Sequence, residues 1–76
     1  MEHYFSYTTI TIPLTGLPPE IHVELINMKG ARIHSVSIKE QKESVDIDVS
    51  ELSVGFYMVK IQLGNDSSIM RKFQKR

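Results

Sequence analysis

The sequence has no cysteine, no tryptophan and a single alanine, and its longest apolar run is the four residues Phe56-Tyr57-Met58-Val59. Without cysteine there is neither a disulfide framework nor a thiolate zinc site, so packing alone must hold the chain. A run of four is far short of the roughly 20 apolar residues a membrane-spanning helix needs, and direct membrane insertion is not expected. Met1 is followed by Glu2 and His3, not by a basic stretch and an apolar one, so no signal peptide is expected there. An excess of charge is missing too. Nine basic and nine acidic side chains cancel, which excludes the high net charge of a disordered chain and the basic footprint of a nucleic-acid binder.

What is present favours strands. Nine Ile, six Val and four Thr stand against five Leu and the lone Ala, and β-branched side chains are stiff in helices but pack well on a pleated surface. Seventy-six residues make one domain, which buries only about 60% of the surface its unfolded chain exposes.

Period-2 alternation marks the strands one by one. Tyr7 to Ile12 alternates Thr with Ile and stops at Pro13, which lacks the amide a central ladder needs. Leu14 to Glu20, with Gly16, Pro18 and Pro19, reads as a crossing between sheets. In the next strand Ile21, Val23 and Leu25 face one way and His22 and Glu24 the other, and Asn27-Met28-Lys29-Gly30 turns the chain. A type I turn with a glycine bulge pairs Asn27 with Ala31, and that register sets Leu25 opposite Ile33 and Glu24 opposite His34. Parity breaks between Ile33 and Val36, which predicts a bulge or change of sheet near Ser35.

Val45-Asp46-Ile47-Asp48-Val49 alternates again, Leu52 is placed to plug one end of the core, and Gly55 frees the corner that follows. Phe56 to Leu63 sets Tyr57, Val59, Ile61 and Leu63 against Met58, Lys60 and Gln62, and a turn at Gly64-Asn65-Asp66-Ser67 leads to a last strand with Ile69 and Phe73 inward. The pattern predicts an all-β fold, a small antiparallel two-sheet immunoglobulin-like sandwich of six to seven strands spanning 7–76, with 1–6 a flexible N-terminus or junction. Its core should contain Ile10, Ile12, Val23, Leu25, Ile33, Ile47, Tyr57, Val59, Ile61 and Phe73.

Constellations that carry chemistry are weak. His22 and His34 face outward on adjacent strands but lie diagonal to one another with no third ligand at fixed spacing, so no metal is expected. Asp46 and Asp48 share a face roughly 6–7 Å apart, yet an open strand face supplies no desolvation to separate two pKa values. No ordered nucleophile, phosphate loop, HExxH or EF-hand spacing is present; neither catalysis nor a cofactor is expected. The charges are unevenly spread: Arg71, Lys72, Lys75 and Arg76 fall in the last six positions, leaving five basic and nine acidic side chains before them. An edge strand left open could pair two copies, and only Lys60, Arg71 and Lys72 guard against that.

Four motifs carry a family resemblance. Asn27-Met28-Lys29-Gly30-Ala31-Arg32-Ile33 resembles a D-x-x-G-[KR]-x-[VL] turn, with Asn for the usual Asp. Val45-Asp46-Ile47-Asp48-Val49-Ser50-Glu51-Leu52 resembles x-I-D-[VL]-S-x-L, and Gly55-Phe56-Tyr57-Met58-Val59-Lys60-Ile61 resembles G-x-Y-[VIL]-[VL]-K-[IV], with Ser53 where a Pro is usual. With Lys72-Phe73-Gln74-Lys75 they stand in the order and spacing of the C-terminal sorting domain of type IX secretion system cargo in Bacteroidetes, also called the Por secretion system.

The resemblance implies a domain that acts as an address and not as an enzyme. An outer-membrane translocon would recognise it after the cargo reaches the periplasm, and a sortase-like peptidase at the surface would remove it, leaving the cargo at the cell surface or outside. The chain would be either an excised domain or a short gene product. Carried onto this sequence, the recognition residues are Gly55, Tyr57, Val59, Lys60, Lys72 and Lys75, with Asn27 and Gly30 forming the turn; Lys60, Lys72 and Lys75 would present cations outward. A stand-alone secreted sandwich with a binding or adhesion role is the alternative reading.

Overall fold

The computed structural model describes residues 3–6, 8–64 and 67–76 and contains seven strands. They are β1 (His3–Ser6), β2 (Thr9–Pro13), β3 (Ile21–Asn27), β4 (Arg32–Ile38), β5 (Ser44–Asp48), β6 (Gly55–Gln62) and β7 (Ser68–Lys75). One sheet has five strands in the order β1-β7-β6-β3-β4, the other is the β2-β5 pair, and no helix occurs among the described residues.

Alternation builds the core as expected. Ile10, Ile12 and Ile47 from the small sheet meet Ile21, Val23, Leu25, Ile38, Tyr57, Val59, Ile61 and Phe73 from the large one, joined by Leu14 and Val49 at the connections. Val59 in the central strand is fully covered, between Leu25 on β3 and Arg71 on β7. Each such side chain taken from water contributes about 1.5–3 kcal/mol. The segment with Gly16, Pro18 and Pro19 does carry the chain from the small sheet to the large one, and Leu52 packs on the core's edge.

Three expectations need correction. His3–Ser6, expected to lie outside the sandwich without a strand partner, forms β1 and pairs parallel with β7, from His3 beside Lys72 to Ser6 beside Lys75. The large sheet is therefore mixed and not wholly antiparallel. Tyr7 and, in the expected 64–67 turn, Asn65 and Asp66 lie outside the described residues.

The second correction concerns register. Asn27 does pair with Ala31, and Ile26 meets Arg32, but Leu25 then meets His34 and Glu24 meets Ser35. Ile33 is thus the extra residue of a bulge, nearer the turn than Ser35. That single insertion explains the parity break: after it, even-numbered positions of β4 face inward, so Val36 and Ile38 join the core. Ile33 does not, the third correction, and it is 39% exposed. His34 moves with the even positions to the face of Leu25, where it lines a small depression with Leu52, Asp48 and Glu51.

Candidate functional site

The expected recognition residues divide between the two faces of the β6–β7 hairpin. Gly55 opens β6 opposite Lys75 at φ +150°, where an L side chain is strained. Tyr57 points inward; its ring lies 5.8 Å from that of Phe73, tilted by 32°, and its hydroxyl donates a 2.6 Å hydrogen bond to the Ser53 carbonyl. Val59 has no exposed surface. Gly55 shapes the strand through its backbone, and the side chains of Tyr57 and Val59 are buried, out of reach of a partner that touches the outside.

Lys75 is a further correction. It is 7% exposed, on the inward face with Phe73, because β7 runs unbroken to Lys75 and odd positions keep their side. Its cross-strand neighbour is Gly55, the first residue of β6. The ammonium donates to the Arg76 carbonyl at 3.2 Å. A buried stem with its head at the chain end is how lysine reconciles apolar and charged parts.

Lys60 and Lys72 do stand on the outer face, both half-buried. Across the hairpin Met58 pairs with Lys72, Lys60 with Met70 and Phe56 with Gln74. Lys72 Nζ sits 4.3 Å from the centroid of the Phe56 ring, a cation–π contact. Phe56 is 45% and Met70 40% exposed, so the face mixes cations with uncovered apolar surface. The period-2 reading had Met58 and Lys60 on this side, but the role of Phe56 as the platform for Lys72 depends on the diagonal between strands, which no single-strand pattern contains.

On β3 the outer face continues with His22, Glu24 and Ile26, where Ile26 meets Met58 and Glu24 meets Lys60. Glu24 accepts a 3.0 Å hydrogen bond from Arg32 and lies 3.5 Å from His22 Nε2. The Arg32 guanidinium holds the Glu24 carboxyl below its ordinary range, with smaller help from His22 and Lys60. The expected partner, His34, is on the other face because of the bulge. His22 Nδ1 lies 2.9 Å from Ser37 Oγ, and among the described residues no three His, Asp or Glu side chains gather as a metal would need.

The carboxylates of β5 have local roles. Asp46 accepts a 2.7 Å hydrogen bond from Thr11 across the small sheet, and Asp48 accepts the Ser50 amide at 2.9 Å, which lowers the Asp48 pKa. At the β3–β4 turn Asn27 Oδ1 accepts the amides of Lys29 and Ala31, each at 2.9 Å, and Gly30, at φ +88°, donates to the Asn27 carbonyl. An amide oxygen accepts here as the carboxylate of the expected Asp could, so Asn in that position keeps the turn.

Comparison with known families agrees with this geometry. A family model described as a secretion system C-terminal sorting domain matches residues 6–76. No curated protein and no solved structure matches the chain. The match covers all four motifs, strands β2 to β7 and the hairpin that presents Lys60 and Lys72. Members are sorting signals and not catalysts, and the cargo they address reaches the cell surface or the extracellular space. The chain belongs to the secretion system C-terminal sorting domains, the signal by which type IX secretion machinery recognises its cargo.

Proposed function

We propose that the machinery reads the outer face of the β6–β7 hairpin, with Lys60 and Lys72 as the charged contacts and Phe56, Met58 and Met70 as the apolar ones. The observation that carries this is Lys72 held over Phe56, which fixes a long side chain that would otherwise lose rotamer freedom on binding. Gly55, Tyr57, Val59 and Lys75 act indirectly, as positioning residues that keep the two strands in register. An acidic, partly apolar surface on the translocon is the complementary partner.

In this reading the domain meets the translocon from the periplasmic side, is itself no enzyme, and is the substrate of a sortase-like peptidase once the cargo is outside. Support for these steps comes from the family. The test is a periplasmic reporter fused to residues 1–76 in a Bacteroidetes host with intact type IX machinery. The intact domain should carry the reporter to the surface or medium. Lys60→Glu with Lys72→Glu should leave it in the periplasm while circular dichroism of the purified variant stays that of the parent. Export that persists with both charges reversed would overturn the assignment of this face.

A further inference from the structure

Lys60 on β6 and Glu24 on β3 stand directly opposite one another, and such a pair has its Cβ atoms about 4.5–5.5 Å apart, close enough for opposite charges to join. They do not join. Among the described residues Lys60 has neither an ion pair nor a hydrogen bond. The Glu24 carboxylate is engaged elsewhere: Arg32 donates to Oε2 at 3.0 Å, and His22 Nε2 lies 3.5 Å from the same oxygen. Because β3 lies between β4 and β6, Arg32 and Lys60 contend for Glu24 from opposite sides, and Arg32 holds it. Of the three cations that lower the Glu24 pKa, Arg32 acts most and Lys60 least. Two features of the chain decide this. The turn closed by Asn27 sets Arg32 beside Ile26, diagonal to Glu24, and the bulge at Ile33 leaves uncharged Ser35 opposite Glu24 in place of His34.

We propose that Arg32 is a positioning residue for recognition: it draws the Glu24 carboxylate toward β4 and so leaves the Lys60 ammonium to an acidic partner. The proposal rests on the reading of the hairpin's outer face given above. Arg32 acts through Glu24 and does not itself touch the partner. Its planar guanidinium offers a pre-organised set of donors, whereas the Lys60 ammonium is a point charge on a flexible stem, so the carboxylate goes to Arg32 while both are present. Without Arg32 the carboxylate turns to Lys60, a weaker hold, and a partner must displace it before it can use that cation. Exposed pairs of this kind change an affinity by about fivefold at most.

Amine acetylation reads the hold on Glu24 without any partner. Residues 1–76 treated with limiting N-acetoxysuccinimide yield, by peptide mass spectrometry, a ratio of acetylated Lys60 to acetylated Lys72. An ammonium paired with a carboxylate loses its proton less readily and reacts more slowly. The ratio should therefore fall about threefold in Arg32→Ala and return when Glu24→Gln is added. Export of the periplasmic reporter should follow the same order, reduced about fivefold by Arg32→Ala and restored in the double variant. Both variants lack the Arg32–Glu24 pair, so their urea midpoints should agree, and a difference in export is then not one of stability. A ratio indifferent to Arg32→Ala would overturn the proposal. So would a double variant as impaired as Arg32→Ala alone, since Arg32 would then touch the partner itself. Normal export by Arg32→Ala with the ratio lowered would overturn it too, and Lys60→Glu with Lys72→Glu then separates the two failures. If that charge-reversed variant stays in the periplasm, the hairpin face stands and only the role of Arg32 falls; if it is exported, the face falls as well.

Discussion

The hydroxyl of Tyr57 donates to the carbonyl of Ser53, four residues back along the chain, at 2.6 Å. The bond ties the start of β6 to the corner that precedes it, much as the tyrosine corner of immunoglobulin domains ties a strand to its approach. It also braces a corner that has Ser53 in place of a proline. Tyr57→Phe keeps the ring on Phe73 and removes only this bond, so it should lower unfolding stability by about 1 kcal/mol, read as a drop in the urea midpoint at unchanged slope.

Val59 offers the cleanest probe of the core. It has no exposed surface and sits in the strand with a neighbour on either side. Val59→Ala should cost about 2 kcal/mol, a large share of the stability of a domain this small. A urea midpoint that hardly moves would show that the neighbours collapse onto the gap.

Acid should weaken the domain in part through Glu24. Its folded pKa is depressed below the ordinary value of 4.5 by the hydrogen bond from Arg32. The stabilisation is thus complete above that value and is lost as pH falls through the lower, folded one. Glu24→Gln should flatten the stability profile below pH 4.5, and Arg32→Ala should do the same, because it removes the cause. Equal slopes for wild type and Glu24→Gln in equilibrium urea unfolding across that range would contradict the pairing.

Lys75 is expected to behave as a packing residue. Replacing a buried charge by an apolar side chain of similar length is often neutral or stabilising, so Lys75→Met should hold or raise the urea midpoint and leave reporter export intact. Lys72→Met should spare the midpoint and impair export. Were Lys75→Met to block export in a folded domain, its ammonium would be part of what is read.

Much of the fold follows from alternation, because a strand with one wet face writes its geometry into consecutive residues. Ile21, Val23 and Leu25, or Tyr57, Val59 and Ile61, needed nothing more. Register is different, since it depends on where an extra residue is inserted. Ile33 and Val36 announce a parity break, but both a bulge at Ile33 and one at Ser35 satisfy it, and the choice decides whether Glu24 meets His34 or Ser35. The parallel pairing of β1 left no trace at all, because four residues carry too short a pattern to name a partner. At the proposed recognition face the sequence marks Lys60 and Lys72, while Lys75 misleads, since a cation near a chain end reads as exposed until the strand is seen to run on through it.

The parallel pairing of β1 with β7 also sets how the domain bears load. His3 lies level with Lys72 while the chain leaves β7 beyond Lys75, so the two extremities are at opposite ends of the same strand pair. Tension applied between them slides β1 along β7 and stresses their hydrogen bonds together, whereas strands leaving from one end would part bond by bond. A pull between the first strand and the last therefore acts in the direction in which this pairing yields least readily.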